Sequence, residues 1–431
     1  MSKKFINKID IDTFVKVLFY LFPFFMLLES AFITFYVTIF TISTLFFFYL
    51  RKIKIKFDSI DYLIFFFFFL KFIATSLNIN ILGHFLFIKS ILDFRFVFFF
   101  IVVRKLIFHE LINLRLLFLV ALSCTIFLSL DIIYQHINGK DFLGNPPFDG
   151  RYNGTFEHEA IAGSYIQKKF LISLSTIFLL ITSNHNKFLL LFLVNIILGL
   201  GIILSLDRMP FLIYLFTIFL LIIFLKNYRK FFVFNLIIIS LIFIFLFNNY
   251  KILNNRYSSL SNEFNLLKFK EVLIFKTDKI SQDNEIKIKD ESYLIGDYSK
   301  IYKTVYYLWL KNPFIGTGTK SFGIMCIELQ ISKNDVVCST HPHNIYLEII
   351  ITQGILGLLV FIILFAVILL DLQKRFFLKN NNKNIINILF LILLISELWP
   401  LRSYGSIFQT VNGSIFWFIL ALTSSRRFKI N

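Results

Sequence analysis

Charge is scarce in this chain. Asp, Glu, Lys and Arg make up only 16% of its 431 residues, where an ordinary soluble domain carries about a quarter. With 57% hydrophobic residues beside it, that deficit excludes a soluble globular domain. Residues 188–206 contain no charge at all, and residues 62–70 read Tyr-Leu-Ile-Phe-Phe-Phe-Phe-Phe-Leu. Runs of roughly 18 or more apolar residues can cross about 30 Å of hydrocarbon as helices, and they recur along the whole sequence. No segment ends in a small-residue cleavage site, so the first apolar run reads as a first span and not as a removable leader. Internal symmetry with paired broken helices, a mark of many transporters, is missing as well. So is a pair of carboxylates suited to a divalent ion near the outer-face cations described below.

Acidic residues are the rarer sign: 26 against 44 basic ones, for a net charge of +18. Such an excess invites a nucleic-acid reading, but its distribution argues against one. The basic residues fall in short clusters between apolar runs, as orientation by cytoplasmic Lys and Arg requires. The chain therefore reads as an all-α polytopic membrane protein of about twelve spans. These are 14–29, 31–50, 59–77, 84–103, 114–134, 159–182, 187–206, 209–225, 231–248, 344–371, 385–399 and 410–424. With Lys3, Lys4 and Lys8 in the cytoplasm, every second connection should be basic. Arg51-Lys52-Ile53-Lys54, Arg104-Lys105 with Arg115, Lys187, Lys226 with Arg229-Lys230, Lys374-Arg375 with Lys379 and Lys383, and Arg426-Arg427 all comply. Both termini are then cytoplasmic, and the opposite side receives segments 135–158 and 249–343.

The sharpest change of composition comes at Asn248. It divides the chain into an N-terminal bundle of about nine helices (1–248), a large outer loop (249–343) and C-terminal transmembrane helices (344–431). Residues 252–292 are polar and suggest exposed or mobile helix. Residues 297–311 carry aromatic and aliphatic side chains at 302, 305, 306 and 309, a helical spacing, and predict an amphipathic helix against the membrane or the bundle. Asn312-Pro313 stops it and Gly316-Thr317-Gly318 makes a loop.

Only three cysteines are present. Cys124 falls in a span and reads as packing. Cys326 and Cys338 share the outer loop, where the compartment permits a disulfide; two free thiols, or zinc with His341 and His343, are the alternatives. The spacing matches no standard structural zinc pattern, and a disulfide is the reading taken here.

Ionisable groups at or inside spans are expensive and therefore default functional candidates. Arg151, Arg208 and Arg402 all fall at outer-face ends of spans, with Asp207 a ready partner for Arg208. Lys168 and Lys169 lie inside a span, where they require a polar cavity or reach to the interface; Asp93 and Arg95 are placed to neutralise each other. Arginine at such a boundary suits a diphosphate, because its planar fork matches phosphate oxygens. His343-Asn344 opens the tenth span. The positive end of a helix dipole favours a neutral imidazole, which can act as a general base. Gly354 and Gly357 follow on the same helix and read as close-packing positions.

Three stretches resemble the O-antigen ligase and polymerase family of bacterial envelope glycosyltransferases. The first is Asn312-Pro-Phe-Ile-Gly-Thr-Gly-Thr-Lys-Ser-Phe322, then His341-Pro-His-Asn-Ile-Tyr-Leu-Glu348, then Gly354-Ile-Leu-Gly-Leu358. The second is the Ser205-Leu-Asp-Arg208 turn, with Asp207 in place of the family's serine. The third runs from Arg151 to Ser164 and includes Glu159. The resemblance implies that His343 activates an acceptor hydroxyl, that Arg208 and Arg151 hold the diphosphate of a polyprenyl-linked glycan, and that Lys300 stands where a loop arginine is usual. His341, Asn344, Arg402 and Glu159 are supporting candidates, and Gln353 is assigned no role. It further implies inverting transfer at the periplasmic face of the inner membrane, onto lipid A-core, and the lack of a carboxylate pair near the outer-face cations predicts that this transfer needs no metal or cofactor. A repeat-unit polymerase of the same family is the nearest alternative, and a transporter of a lipid-linked anionic glycan the alternative from another class.

Overall fold

The computed structural model describes residues 11–157, 159–181, 183–266, 296–332, 338–376 and 381–426. Lys3, Lys4, Lys8, Lys379, Arg427 and the polar stretch 267–295 lie outside the described residues. Among the described residues there is no strand. In chain order the helices are α1 (Ile11–Phe25), α2 (Ser30–Leu50), α3 (Ser59–Leu77), α4 (Ile79–Leu92), α5 (Arg95–Phe108), α6 (Leu114–Asn138), α7 (Ala162–Leu180) and α8 (Asn184–Leu204). They continue with α9 (Arg208–Phe224), α10 (Arg229–Asn249), α11 (Lys251–Leu266), α12 (Gly296–Lys311), α13 (Ser321–Ser332), α14 (Ile345–Phe376), α15 (Asn381–Glu397) and α16 (Thr410–Ser424). By length and composition α2, α3, α6, α8, α10 and α14 can cross a membrane, and α9, α15 and α16 are shorter apolar helices. Helices satisfy their own backbone, which hydrocarbon demands.

Helices from the two ends of the chain pack together. α14 lies on α3, α16 on α5 and α2, and α15 on α7 and α9, while α6 is packed between α7 and α8. Lipid removes most of the hydrophobic drive between helices, so shape and polar contacts decide the packing. The abundant phenylalanine supplies the shape. Phe22 stacks on Phe418 with ring centroids 3.8 Å apart, and Phe68 meets Trp417 at 5.1 Å. The buried Trp417 donates its indole N–H to the Ile407 carbonyl at 3.0 Å.

The stretch 84–103, expected as one span, is two helices. α4 stops at Asp93 and α5 starts at Arg95. The break sits at a buried carboxylate shared by two lysines: Asp93 pairs with the buried Lys71 of α3 and lies 3.5 Å from Lys89. Arg95 lies within electrostatic reach of Asp93, as expected, but its hydrogen bond goes to Thr410 Oγ1 at 3.0 Å and its guanidinium lies over the Phe96 ring.

A second departure is at α14. Gly354 has φ +63° and ψ −164°, so the helix is broken there. The segment 313–318 fills the break. Thr317 N donates to Ile351 O at 2.7 Å and Gly318 N to Thr352 O at 3.0 Å. Across the break Ile355 N donates to Pro313 O at 2.9 Å and Leu356 N to Phe314 O at 3.2 Å. The carbonyls and amides orphaned by the break are thus re-paired by a loop, as non-helical backbone inside a membrane bundle requires. Contact is backbone to backbone: a Cβ on Gly316 would stand 2.4 Å from Gln353 N, and one on Gly354 would stand 2.3 Å from Phe314 O. Gly354, read from sequence as a helix-packing position, is the break itself. The loop also rests on α3, where Thr319 N donates to Thr75 Oγ1 at 2.9 Å.

At the opposite end of the bundle Asp58 caps α3 in a capping box with Asp61. Arg104 of α5 donates to both carboxylates at 2.7 Å. The Arg104 guanidinium holds the Asp58 carboxyl down at about 2 although burial pushes it up. Arg375 of α14 reaches the Thr423 carbonyl at 2.9 Å, closing the same end. The amphipathic helix expected over 297–311 is α12, but its buried stripe is Ile301, Thr304, Val305 and Leu308, with Tyr302 and Tyr306 exposed.

Candidate active site

The turn between α8 and α9 places the first set of charges. Leu206 has φ +60°, and Asp207 sits at the N-cap of α9 without capping it. Its carboxylate is used elsewhere: it accepts from Arg151 Nη1 at 3.1 Å and from the Gly163 amide at 3.1 Å. Any side chain at 163 would collide, because a Cβ there would lie 2.4 Å from Ser205 Oγ. Burial raises the Asp207 carboxyl to about 6, against the pull of Arg151. Arg151 is itself positioned by a two-bond backbone bridge with Phe148. Asp207, expected beside Arg208, is held by Arg151 from the first loop.

Arg256 of α11 joins them. Burial lowers its pKa, and repulsion from Arg151 and then Arg208 lowers it further, so the three guanidinium groups lie within electrostatic reach of one another. Two carboxylates, Asp149 and Asp207, oppose them. Sequence reading missed Arg256 because its surroundings are polar. The available signal was the pair Leu253 and Tyr257, which are four residues apart and buried, and which seat α11 on its neighbours α9 and α10.

Arg402 is not an open cation. It is 5% exposed and donates to Glu397 Oε1 at 3.0 Å, Ser396 O at 3.0 Å and Gln167 Oε1 at 2.7 Å. Glu397 also accepts from Tyr404 Oη at 3.0 Å. Lys168 and Lys169 are buried: Lys168 lies over the Tyr404 ring and donates to Asn412 Oδ1 at 3.3 Å, and Lys169 lies over the Tyr165 ring. Aromatic faces take the place of the polar cavity or interface expected for them.

The histidines are reached through the same network. Tyr404 N donates to His343 O at 2.8 Å. His343 has φ +55°, a left-handed conformation that His tolerates better than most residues. Asn344 caps α14, accepting from the amides of Tyr346 at 3.0 Å and Leu347 at 3.2 Å, and its own amide donates to Pro400 O at 2.7 Å. Asn344 thus has a structural role on this geometry. His343 Nε2 lies 3.2 Å from Ser339 Oγ, and the His341 and His343 ring centroids are 4.2 Å apart. Burial lowers the pKa of His343, and burial with the neighbouring His343 takes His341 down to about 4. Both imidazoles are therefore neutral near pH 7. His341 and Pro342 line a cavity of about 250 Å³.

The two sets of residues share one end of the bundle. Gly163 contacts Asp207 and Gln167 contacts Arg402. These two α7 residues are one turn apart, about 6 Å of rise. Lys300 lies on α12, which packs on α13 and α14. Glu159 is exposed in the loop before α7. Among the described residues no group of three or more His, Cys, Asp or Glu side chains is placed to hold a metal ion.

Cys326 of α13 and Cys338 form a disulfide with Cα atoms 5.5 Å apart. Cys338 lies five residues before His343, so the bond anchors the histidine segment to α13. Replacing both cysteines by serine removes a loop constraint worth about 3 kcal/mol. We expect a lower melting temperature and slower transfer together, as read by thermal unfolding and activity of the purified variant. An unchanged melting point would contradict the anchoring role.

A bundle of apolar helices, several long enough to span a membrane, with arginines and a neutral histidine pair at one end, fits a multi-pass membrane protein. Residues 193–362 match the family model described as O-antigen ligase, which supports the O-antigen ligase family for this chain. That family is associated with glycosyl transfer by ligases or polymerases acting on lipid-linked glycans. The matched region contains Arg208, Arg256, Lys300, His341, His343 and Gly354; Arg151 and Arg402 lie outside it. A comparison with curated proteins finds no match.

Proposed function

We propose that the chain is an O-antigen ligase-type glycosyltransferase. It moves a glycan from polyprenyl diphosphate to an acceptor hydroxyl, on lipid A-core, at the periplasmic face of the inner membrane with both termini in the cytoplasm. The observation that carries this reading is the family domain over residues 193–362, combined with the hydrogen-bonded network that joins the surroundings of Arg208 to those of His343. His343 takes the proton of the acceptor hydroxyl. The oxygen attacks the anomeric carbon, the bond from that carbon to the diphosphate oxygen breaks with inversion, and the diphosphate departs. Arg208 and Arg151, with Lys300 from the large loop, stabilise the charge developing on it, and Arg256 adds a third guanidinium. Positioned cations of this kind are worth several kcal/mol in a site that excludes water.

Arg208→Ala is expected to lower transfer from a polyprenyl diphosphate glycan between about 10²- and 10³-fold. Arg208→Lys should recover part of the loss, because it restores the charge but not the two-pronged geometry. Chelators should leave the wild-type rate unchanged. Full activity in the Arg208→Ala protein, correctly inserted, would refute the assignment. Comparing lipid A-core with a lipid-linked repeat unit as acceptor separates ligase from polymerase.

A further inference from the structure

The cavity beside His341 is walled by α3, α4, α13, α14 and the segments before α13, α14 and α16. None of these elements carries Arg151, Arg208 or Arg256, so the cavity is separate from the arginine group. Its charge is unusual for a pocket inside a bundle. Lys71, Lys89 and Lys320 line it, with Glu348 and His341. Lys71 and Lys89 share the carboxylate of Asp93, and Glu348 Oε2 is engaged by the Ile407 amide at 3.2 Å. Three ammonium groups against two carboxylates leave one positive charge. Lys71 is fully buried, whereas Lys89 is partly exposed and 3.5 Å from its partner, and Lys320 is exposed. The ammoniums available to a ligand are therefore those of Lys89 and Lys320.

At about 250 Å³ the space lies just below the usual range of ligand pockets, of a size for one sugar ring. The Thr319, Thr340 and Ser406 side chains at its wall and the neutral His341 offer hydroxyl-type partners. A transfer between two glycans needs two substrate sites. The arginines suit the diphosphate of the donor, which leaves the cavity to the other substrate.

We propose that this cavity is the acceptor subsite, and that it takes a sugar residue bearing an anionic group, a carboxylate or a phosphate monoester, held by Lys89 and Lys320; this rests on the glycosyl-transfer reading above.

The test is transfer by the full-length purified protein, with glucuronic acid, glucose 6-phosphate or glucose added as competitor. One or both of the acidic sugars should compete with the acceptor while glucose does not, and the stronger of the two identifies carboxylate or phosphate. Lys89→Gln with Lys320→Gln should raise the acceptor KM and the inhibition constant by about tenfold or more, since two charge-assisted hydrogen bonds are lost, without moving the donor KM. Lys320→Gln alone, at an exposed position, should give a smaller shift, with its melting curve as the check that it is folded. Equal competition by glucose, or variants that move only the donor KM, would overturn the proposal. If the wild type transfers no glycan at all, the glycosyltransferase reading fails. Thermal stabilisation by the acidic sugars over glucose, lost in the double variant, then still tests the cavity by itself, and its absence sinks the subsite.

Discussion

Replacing His343 by Asn is expected to lower glycan transfer by between about 10² and 10⁴-fold, the contribution of a positioned general base, and to leave the protein folded. Asn is the informative choice because position 343 has φ +55° and Asn accepts the left-handed conformation as readily as His. A loss of activity then reports the imidazole and not the backbone. His341→Gln is expected to have the smaller effect. The pH dependence gives a second reading of the same residue. Burial lowers the His343 pKa below its ordinary value of 6.5, so the neutral, proton-accepting form persists as pH falls through 6.5 and is lost only further down. The acid limb of kcat/KM should therefore lie below pH 6.5. Asp207, raised to about 6, contributes a second titration in that range, and it should survive in the residual activity of the His343→Asn protein. An acid limb at or above 6.5, or near-normal transfer by His343→Asn, is incompatible with a neutral buried base.

The second large effect is structural. Gly354→Ala should destabilise the protein by about 3 kcal/mol or more. Its φ and ψ fall in a region essentially restricted to glycine, worth 1 to 3 kcal/mol of strain for another residue. The added Cβ would also stand 2.3 Å from the Phe314 carbonyl oxygen, a backbone atom that cannot rotate away. Either α14 straightens and expels the 313–318 loop, or the loop stays and the helix is strained. Both outcomes lower the melting temperature, and loop expulsion exposes this segment to proteolysis. A variant with wild-type melting and proteolysis would show that the loop does not depend on the break.

Much of this arrangement was legible in the sequence, and what was not has physical causes. Apolar runs announced the helices, and the Asn312-Pro313 stop with Gly316-Thr317-Gly318 announced the loop. Its docking place was hidden, because Gly354 inside an apolar run reads equally well as a packing position and as a break. The 84–103 run looked like one span since hydropathy averages over Asp93, and only the position of Lys71 in three dimensions reveals its partner. Arg151, Arg208 and His343 were singled out in the sequence, but the contacts that position them, through Asp207, Gly163 and Tyr404, were not. Asp207 was assigned to its sequence neighbour, and its bond to Arg151, 56 positions away, was not foreseen. Arg402 was taken for a substrate-facing cation because the carboxylate that neutralises it, Glu397, ends the preceding helix and looked like part of it. Arg256 lay in a polar stretch that composition alone labels as mobile.

The loop seated in the broken helix also bears on modularity. The recognisable region, residues 193–362, is not self-sufficient. Its loop leans on Thr75, its α8–α9 turn is held by Arg151 and Gly163, and its histidine backbone is tied to Tyr404. Every one of those supports lies outside the region. The stretch that similarity detects is therefore an inlay in a larger frame, unable to be cut out or transplanted as a unit, and the surrounding helices, however featureless in sequence, are under the same constraint of fit.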